Sequence, residues 1–299
     1  MRTRFAPSPT GLLHLGNAYS ALICQRWAEK HDAELLLRIE DIDHTRCSAE
    51  YADAIFKDLG WLGLHWQTPV RYQSRHLDDY QQAIRHLRDL GVIYPCFCSR
   101  KQITQEISRM ASAPHAEDAL PEYPGTCRNL HTDEQHRRMG QEPFAWRLNV
   151  NKAIIMAGEG LTWRDASGLR YAVRISHDII IGRKDIAYSY HLAVVVDDAL
   201  QGISHIIRGH DLRPSTGIHR LLQTLLELPE PTYIHHPLVQ DSTGKRLTKR
   251  NHATTLGSLR GMGVEAKKLR DYLCAETTPH WPFAAEEKDA ILHMLGKTQ

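Results

Sequence analysis

The first seventeen residues constrain the fold more than any other part of the chain. An apolar start leads through a proline-rich turn into a helical pattern that begins near Asn17. We predict a strand over residues 3–6 and a helix over residues 17–30. Strand, turn and helix in this order aim backbone N–H groups and the positive end of the helix at an anion. The sequence therefore predicts an α/β fold with a phosphate-binding site at this turn.

Two residues at the turn have the chemistry to bind a nucleotide. A histidine such as His14 can donate a hydrogen bond to a phosphate oxygen. The missing side chain of Gly16 leaves room for a flat base against the backbone. The tripeptide His-x-Gly alone is also typical of an ordinary turn with a solvent-facing histidine. The whole string from Arg4 to Asn17 is far more specific.

That string resembles the first signature of the class I aminoacyl-tRNA synthetases, in its glutamyl and glutaminyl form. The tetrapeptide H-L-G-N at residues 14–17 stands where the family has HIGH, and the run R-L-T-K-R at residues 246–250 is a variant of its second signature, KMSKS. The resemblance covers nearly the whole chain. It implies a Rossmann-type parallel sheet with an inserted zinc-braced subdomain and a small helical C-terminal subdomain. It also implies a Mg²⁺ ion with ATP and four ATP-binding residues, of which the first and last are catalytic: His14, Gly16, Asn17 and Lys249.

The composition bounds the class of protein. With 37 basic and 35 acidic residues, the formal charge is only +2, which is too small to indicate nucleic-acid binding by itself. Six cysteines are few for 299 residues, and their spacing indicates no disulfide framework. We see no signal peptide and no apolar run long enough to span a membrane. We therefore expect a protein of the reducing cytoplasm with no membrane partner. We also expect a monomer.

Acidic residues follow the second predicted strand, at residues 35–40. In an open parallel sheet, functional groups gather beyond the carboxyl ends of the strands, so we expect Glu40 to face a ligand. Asp41 and Asp43 are better explained as caps of the following turn. The family resemblance places Glu40 at the ammonium group of the amino-acid substrate, a role that suits a carboxylate.

Another apolar strand, within residues 203–212, ends in a polar cluster. Taken alone, Arg208 is best explained as an ion-pair partner of Asp211. The resemblance instead implies that Arg208 and Tyr190 bind the side-chain carboxylate of the substrate, with Arg4 as a second cation. Two guanidinium groups on one small acid would select L-glutamate over glutamine, because an amide loses the charge-assisted contacts. The glutamate-binding residues that the resemblance implies are Arg4, Phe5, Ala6, Pro7, Ser8, Glu40, Tyr190 and Arg208.

Three cysteines form a candidate metal site. Cys96 and Cys98 share one face of a strand predicted at residues 92–98. Spacing alone leaves two possibilities open, three buried thiols or a zinc site completed by a residue such as His115 or His131. The family resemblance favours zinc, because these synthetases often carry a zinc knob here and their short paralogues use a tyrosine as fourth ligand. The predicted ligands of one structural Zn²⁺ are Cys96, Cys98, Tyr123 and Cys127.

The remaining periodicities predict further helices and strands along the chain. Helices are predicted over residues 48–59, 74–90, the start of 101–120, and 216–225. Strands are predicted over residues 144–150, 161–165, 178–181 and 234–239. The apolar run at residues 193–196, which two aspartates terminate, is typical of one more short buried strand.

We divide the chain into three parts. Residues 1–94 and 188–225 form the two halves of the catalytic domain, and residues 95–187 form an inserted, antiparallel acceptor-type subdomain with the zinc site. Residues 226–299 contain the second signature loop and a helical C-terminal part. Few residues follow Arg250, so we expect no anticodon-binding domain.

A chain without that domain resembles the short glutamyl-Q paralogues of the family. This resemblance implies an ATP-dependent ligase that forms glutamyl-adenylate from L-glutamate without tRNA. The ligase would then transfer the glutamate to the queuosine base in the anticodon stem-loop of tRNA(Asp). Two rival functions remain open: a truncated glutamyl-tRNA synthetase that charges the tRNA 3′ end, and a non-catalytic paralogue that binds RNA.

Overall fold

The computed structural model describes residues 1–99, 101–104, 123–185, 188–241, 254–275, 280–281, 291 and 293–294. His115, the second signature at 246–250 and most of the helix predicted within 101–120 lie outside these ranges. The described helices are α1 Leu15–Lys30, α2 Ala49–Trp61, α3 Leu77–Asp89, α4 Thr132–Met139, α5 Val150–Ala157, α6 Tyr190–Leu200, α7 Thr216–Leu225, α8 Leu256–Gly261 and α9 Ala266–Leu273. The described strands are β1 Arg2–Phe5, β2 Glu34–Ile39, β3 Gln67–Tyr72, β4 Ile93–Cys96, β5 Ala145–Leu148, β6 Thr162–Arg164, β7 Arg170–Ala172, β8 Ile179–Gly182, β9 His205–Gly209, β10 Thr232–His236, β11 Gln240–Asp241 and β12 His280–Trp281.

The longer parallel strands form two groups. β2 pairs in parallel with both β1 and β3, and β10 pairs in parallel with β9. The two groups meet where β9 lies beside β1: the N–H of Ser204 donates to the carbonyl of Arg2, and Arg4 donates to the carbonyl of Ile207. The predicted Rossmann-type parallel sheet is confirmed. Its carboxyl ends bring the residues that follow β1, β2 and β9 to one edge.

An antiparallel layer separates these strand groups along the chain. β5 pairs with β4 on one side and β8 on the other, and β6 pairs with β7 as a hairpin. All of these pairings are antiparallel, as predicted for the insertion. The parallel strands do not end at residue 225, because β10 lies after it and pairs with β9. The division of the chain into three parts stays a prediction.

Burial follows the helical period where one face of a helix meets the core. In α3, the buried residues are Tyr80, Ala83, Ile84 and Leu87, at the spacing of one helical face. The helix ends before Gly91, whose φ of 63° is a left-handed conformation that glycine adopts without a Cβ clash. The predicted amphipathic helix at this place is confirmed; it begins three residues later and ends one residue earlier than predicted.

The strand predicted at residues 193–196 is wrong, because these residues lie inside α6. Ser189 caps this helix by accepting a hydrogen bond from the N–H of Leu192 at 3.4 Å. Every residue from Leu192 to Asp198 is buried. A helix buried around most of its surface shows no alternation of apolar and polar residues, so its sequence looks like that of a buried strand.

The C-terminal helices return to the first signature. The N–H of Leu256 donates to the carbonyl of Leu13 at 2.9 Å, and Thr255 forms an antiparallel bridge with His14. Leu256 and Leu259 of α8 and Leu269 of α9 are buried in the same apolar cluster as α1. Among the described residues, no helix combines the length and the apolarity that a membrane crossing needs.

Candidate active site

A cavity of about 400 Å³ opens at the carboxyl ends of β1, β2 and β9. It contains every described residue that the sequence singled out for the amino acid and the nucleotide. These residues are Arg4, Phe5, Ala6, Pro7, Ser8, His14, Gly16, Asn17, Glu40, Tyr190 and Arg208. Residues far apart in sequence therefore line one site, although the cavity alone does not assign a role to each of them.

His14 is held at the mouth of the helix that follows the turn. Its Nδ1 accepts from the N–H of Gly16 at 3.0 Å, and its own N–H donates to Oδ1 of Asn17 at 3.1 Å. These reciprocal bonds cap α1. Because Nδ1 is an acceptor, the neutral ring carries its proton on Nε2. His14 can therefore donate from Nε2 to an anion beside the helix N-terminus.

Gly16 has no space for a side chain. A Cβ at this position would lie 2.9 Å from Cε1 and 3.1 Å from Nδ1 of His14. Both distances are shorter than ordinary van der Waals contact, so any larger residue would displace the histidine ring. The absence of a side chain at Gly16 thus lets the His14 ring keep its position and leaves the cavity surface open.

Arg4 is fixed from below by a buried carboxylate. Its Nε donates to Oδ1 of Asp198 at 2.9 Å, and its Nη1 donates to the carbonyl of Ile207 at 3.3 Å. Arg38 shares the same carboxylate oxygen, with Nη1 at 2.8 Å. Burial by itself would raise the pKa of Asp198, but the adjacent guanidinium groups of Arg4 and Arg38 outweigh it and lower that pKa. Asp198 therefore stays ionised between two arginines.

Glu40 belongs to the same buried network. Nη2 of Arg38 donates to Oε1 of Glu40 at 3.3 Å. Burial raises the pKa of Glu40 above its ordinary value, against the opposing influence of Arg38 and Arg4. A positively charged ligand at this end of the cavity would favour the ionised carboxylate and lower its pKa again. Glu40 is thus a largely buried carboxyl group whose ionised form an ammonium group would stabilise.

Arg208 is held by neutral groups. Nη2 donates to Oγ1 of Thr216 at 2.7 Å, Nη1 lies 3.0 Å from Nδ1 of His219, and Nε donates to Nε2 of His235 at 3.3 Å. No carboxylate of the described residues pairs with it, so the simple explanation as a partner of Asp211 is wrong. A buried guanidinium that is 4% exposed and bound only by neutral acceptors remains available to an anionic ligand.

The hydrogen bonds around Arg208 determine which ring nitrogen of His219 carries the proton. An arginine can only donate, so Nδ1 of His219 is an acceptor and its proton lies on Nε2. That Nε2 then donates to Nδ1 of His191, 3.1 Å away. Burial and the charge of Arg208 lower the pKa of His191 to about 4 and that of His219 well below its ordinary value. Neutral histidines thus surround the guanidinium.

The three cysteines of the candidate metal site lie together. The sulfur atoms of Cys96, Cys98 and Cys127 are within 4.8 Å of one another. The hydroxyl oxygen of Tyr123 lies 3.5 Å from Sγ of Cys96 and 4.0 Å from Sγ of Cys98, and the two sulfurs of Cys98 and Cys127 are 3.5 Å apart. A tetrahedral Zn²⁺ would separate two sulfurs by about 3.8 Å and a sulfur from an oxygen by about 3.5 Å. The cluster can hold a metal ion of this size.

Arg147 adds positive charge beside this cluster. Its Nε donates to Sγ of Cys96 at 3.3 Å, and its guanidinium carbon lies 3.7 Å from the centre of the Tyr123 ring. A cation at this place stabilises the thiolate form of Cys96. His131 is not part of the cluster: its ring is exposed and caps α4 beside Asp133.

The sequence of the chain matches a known family over almost its full length. Residues 1–293 match the family described as the catalytic domain of class I tRNA synthetases, E and Q. The chain belongs to this family. The match spans both halves of the parallel sheet of this class I synthetase, the insertion and the C-terminal helices.

Two curated relatives of this synthetase are matched over most of their own length. A glutamyl-Q tRNA(Asp) synthetase from Rhodobacter capsulatus is 41% identical over 278 residues, covering 90% of this chain and 98% of the relative. One of the same name from Nitratidesulfovibrio vulgaris is 39% identical over 283 residues, covering 91% of this chain and 85% of the relative.

A solved structure supports the fold of the synthetase. A glutamate tRNA ligase from Elizabethkingia meningosepticum, crystallised in complex with its amino acid, superposes with a TM-score of 0.75 at 22% identity. The superposition covers 100% of this chain and 64% of that ligase, so this chain spans less than two thirds of its length.

Described residues on both sides of the second signature lie at or next to the cavity. Val239, just before it, lines the cavity wall, and Thr255, just after it, bridges to His14. Lys249 itself lies outside the described residues. The described residues on either side of this segment therefore lie at the cavity or beside His14, which lines it.

Sequence reasoning missed the residues that hold the two cavity arginines of the synthetase. For Arg4 this is Asp198, whose carboxylate Arg38 also binds, and for Arg208 they are Thr216, His219 and His235. The only local signal was the pair of aspartates after the apolar run at residues 193–196, since charges that end an apolar stretch are often buried with a partner. Nothing local marks Thr216 or His219, because their contacts depend on how α7 packs against β9.

Proposed function

We propose that this chain activates L-glutamate with ATP, without needing tRNA, and then transfers the glutamate to the queuosine base in the anticodon of tRNA(Asp). The observation that carries the proposal is the single cavity that contains Arg4, Glu40 and Arg208 beside His14. The names of relatives at about two fifths identity support the choice of substrates. We also propose that the protein acts as a monomer.

The charges of the cavity match those of glutamate. Glu40 meets the ammonium group, while Arg208, with Tyr190 beside it, meets the side-chain carboxylate. Arg4 supplies the second cation from the neighbouring strand. Glutamine would leave a guanidinium in the cavity without its anionic partner, which costs more than the loss of one hydrogen bond between neutral groups. The site therefore selects the acid.

Adenylation needs positioned donors rather than a nucleophile from the protein. An oxygen of the α-carboxylate of glutamate attacks the α-phosphorus of ATP, the bond to the bridging oxygen breaks, and pyrophosphate leaves with the electron pair. Nε2 of His14 and the N-terminus of α1 stabilise the negative charge that grows on the phosphate. Lys249 binds the phosphates from the other side, and Mg²⁺ accompanies the triphosphate as part of the substrate.

Transfer releases AMP. A hydroxyl group of the queuosine base attacks the activated carbonyl carbon, its proton passes to the solvent, and AMP leaves with the bonding electrons. The anticodon loop would have to enter the cavity itself for this step. The acceptor would therefore be read at the active site, without a separate anticodon-reading domain.

We also propose that Cys96, Cys98, Cys127 and Tyr123 bind one Zn²⁺. The distances between sulfur and oxygen atoms fit a tetrahedral ion, and the hydrogen bond from Arg147 favours the thiolate of Cys96. When bound, the ion would brace the segments that carry these residues. Four protein ligands leave no open position, so the site is structural and takes no part in the reaction.

Isotope-labelled glutamate tests the proposed function. The protein is incubated with ATP, labelled glutamate and tRNA(Asp), either with or without queuosine, and the labelled nucleotide is located by nuclease digestion. We expect label in the anticodon and only with queuosine. Label on the 3′-terminal adenosine would instead indicate a truncated glutamyl-tRNA synthetase. Absence of glutamate-dependent pyrophosphate exchange in a folded, ATP-binding preparation would indicate a non-catalytic RNA-binding paralogue.

A further inference from the structure

A second pocket lies directly beside the active site. We call it the aromatic pocket and define it by Trp163, Tyr171, Arg174, His210, Arg213 and Gly217. Its volume is about 630 Å³, within the range of small-molecule binding sites. Asp211 lines both this pocket and the glutamate cavity. A ligand in one pocket would therefore lie next to a ligand in the other.

The wall of the pocket is a stack of flat groups. The rings of Trp163 and Tyr171 are stacked, with centroids 4.5 Å apart and planes inclined by 23°. The guanidinium carbon of Arg213 lies 4.7 Å from the Tyr171 centroid and 5.5 Å from that of Trp163. The Tyr171 hydroxyl donates to Asp165 at 2.8 Å, which fixes the tyrosine ring. Aromatic rings and guanidinium planes are the surfaces on which single-stranded nucleotides stack.

The pocket also carries positive charge. Arg174 is exposed and Arg213 is partly exposed. Neither forms an ion pair with another residue in the part of the chain that the structure describes. Guanidinium groups of this kind can bind a phosphate while the adjacent base stacks. The combination favours a nucleotide over an uncharged aromatic ligand.

The aromatic pocket is joined to the amino-acid site through one histidine. The ring of His235 contacts Trp163 edge-on, with centroids 5.7 Å apart, and its Nε2 accepts from Nε of Arg208. His235 therefore separates the pocket wall from the guanidinium proposed to bind glutamate. A ligand on Trp163 would therefore be separated from a ligand on Arg208 by His235 alone along this path.

We propose that the aromatic pocket binds a nucleotide of the RNA substrate that neighbours the accepting nucleotide. Its base stacks on the Tyr171 and Arg213 side of the wall, and its phosphate contacts Arg213 and Arg174. The inference rests on the proposed transfer to tRNA, since a glutamate cavity alone gives an RNA no reason to bind here. It predicts that this pocket serves the second step and not the first.

Two variants of the whole protein test the pocket. Arg213→Ala removes the guanidinium, and Tyr171→Leu removes the stacking ring while leaving an apolar side chain. We expect each to raise the KM for queuosine-containing tRNA(Asp) about tenfold or more, consistent with the loss of one stacked base. Glutamate-dependent pyrophosphate exchange without RNA is expected to stay within about twofold of wild type. Arg213→Lys keeps the charge without the plane and is expected to restore less than half of the lost affinity.

The matched control is Arg170→Gln. Arg170 lies on the same hairpin, is exposed, and pairs with Glu230 rather than lining the pocket. Binding of a fluorescently labelled anticodon stem-loop of tRNA(Asp), measured by anisotropy, should weaken for Arg213→Ala and not for Arg170→Gln. Wild-type tRNA kinetics and binding in both pocket variants, or full rescue by Arg213→Lys, would overturn the proposal. Failure of the wild-type protein to transfer glutamate to any tRNA would instead contradict the proposed function, which separates the two results.

Discussion

Oδ1 of Asp198 lies 2.9 Å from Nε of Arg4, and each of the two side chains is only 5% exposed. The same oxygen lies 2.8 Å from Nη1 of Arg38, which in turn contacts Glu40. The buried carboxylate of Asp198 thus positions Arg4 directly and Glu40 through Arg38. These are two of the residues proposed to bind glutamate. Asp198 is a positioning residue, because it touches both arginines and does not line the cavity.

Asp198→Asn is expected to raise the KM for glutamate about tenfold or more while the KM for ATP changes by less than about threefold. The amide keeps the shape but removes the charge that orients Arg4, so the effect falls on the amino acid and not on the nucleotide. Pyrophosphate exchange measured against each substrate gives both values. Asp58→Asn is the control: Asp58 is buried and pairs with Arg260 at 2.9 Å, away from the cavity. It is expected to lower stability without changing the KM for glutamate. Equal increases in both KM values for Asp198→Asn would contradict the positioning role.

Gly16→Ala is expected to lower kcat for pyrophosphate exchange about tenfold or more. The new methyl group would lie 2.9 Å from Cε1 of His14, so the ring must turn away from the phosphate. Gly60→Ala is the matched control, because a Cβ there meets nothing within 4 Å and alanine favours a helix more than glycine does. A kcat for Gly16→Ala equal to that of wild type would show that the His14 orientation does not matter for adenylation.

Stability is expected to fall as the pH drops from about 6.5 to about 4. In this window an unfolded chain protonates His191, whereas burial and Arg208 keep its pKa at about 4 in the folded protein. The unfolded state then binds more protons, so acid favours unfolding, by about 1.4 kcal/mol per pH unit for each proton. Urea unfolding between pH 7.5 and 5 measures this slope. His191→Asn should reduce the slope, while substitution of the exposed His65 should not; an unchanged slope in His191→Asn would contradict the assignment.

Removal of zinc is expected to destabilise the inserted subdomain. The purified protein should carry about one Zn²⁺ per chain, and Cys98→Ser and Cys127→Ser should lose it and melt at a lower temperature. Tyr123→Phe should bind zinc more weakly, because it removes the only oxygen ligand. Cys274→Ser, a cysteine far from the cluster in sequence, is the control. Metal analysis and thermal melting with and without a chelator provide the readouts, and a metal-free wild-type protein with the same melting temperature would refute the site.

Sequence reasoning succeeded where chemistry and local pattern coincide. The strand ends that carry Glu40 and Arg208 were recognisable because apolar runs stop at charged residues, whereas Arg4 and the ligand roles of all three residues came from the family resemblance. These residues do line one cavity. The turn at residues 14–17 was recognisable because a proline- and glycine-rich segment precedes a helical pattern there, and because the string resembles a family signature.

The failures have a common physical origin, which is contact over long sequence distances. Asp198 lies 194 positions from Arg4, and no local pattern predicts that pairing. Helix α6 was interpreted as a strand because its burial on most sides erases the helical period. The aromatic pocket joins the β6–β7 hairpin to the turn before α7, so it becomes visible only when the fold brings Tyr171 beside Arg213.

Pyrophosphate exchange in the absence of any RNA, compared for glutamate and glutamine, tests the central proposal most directly. We expect robust exchange with L-glutamate and at least about a hundredfold lower kcat/KM with L-glutamine, since two cavity arginines lose their anionic partner. Arg208→Gln should abolish that preference. Exchange that proceeds equally well with glutamine, or that requires tRNA before any glutamate is activated, would contradict the proposed site and the proposed order of the reaction.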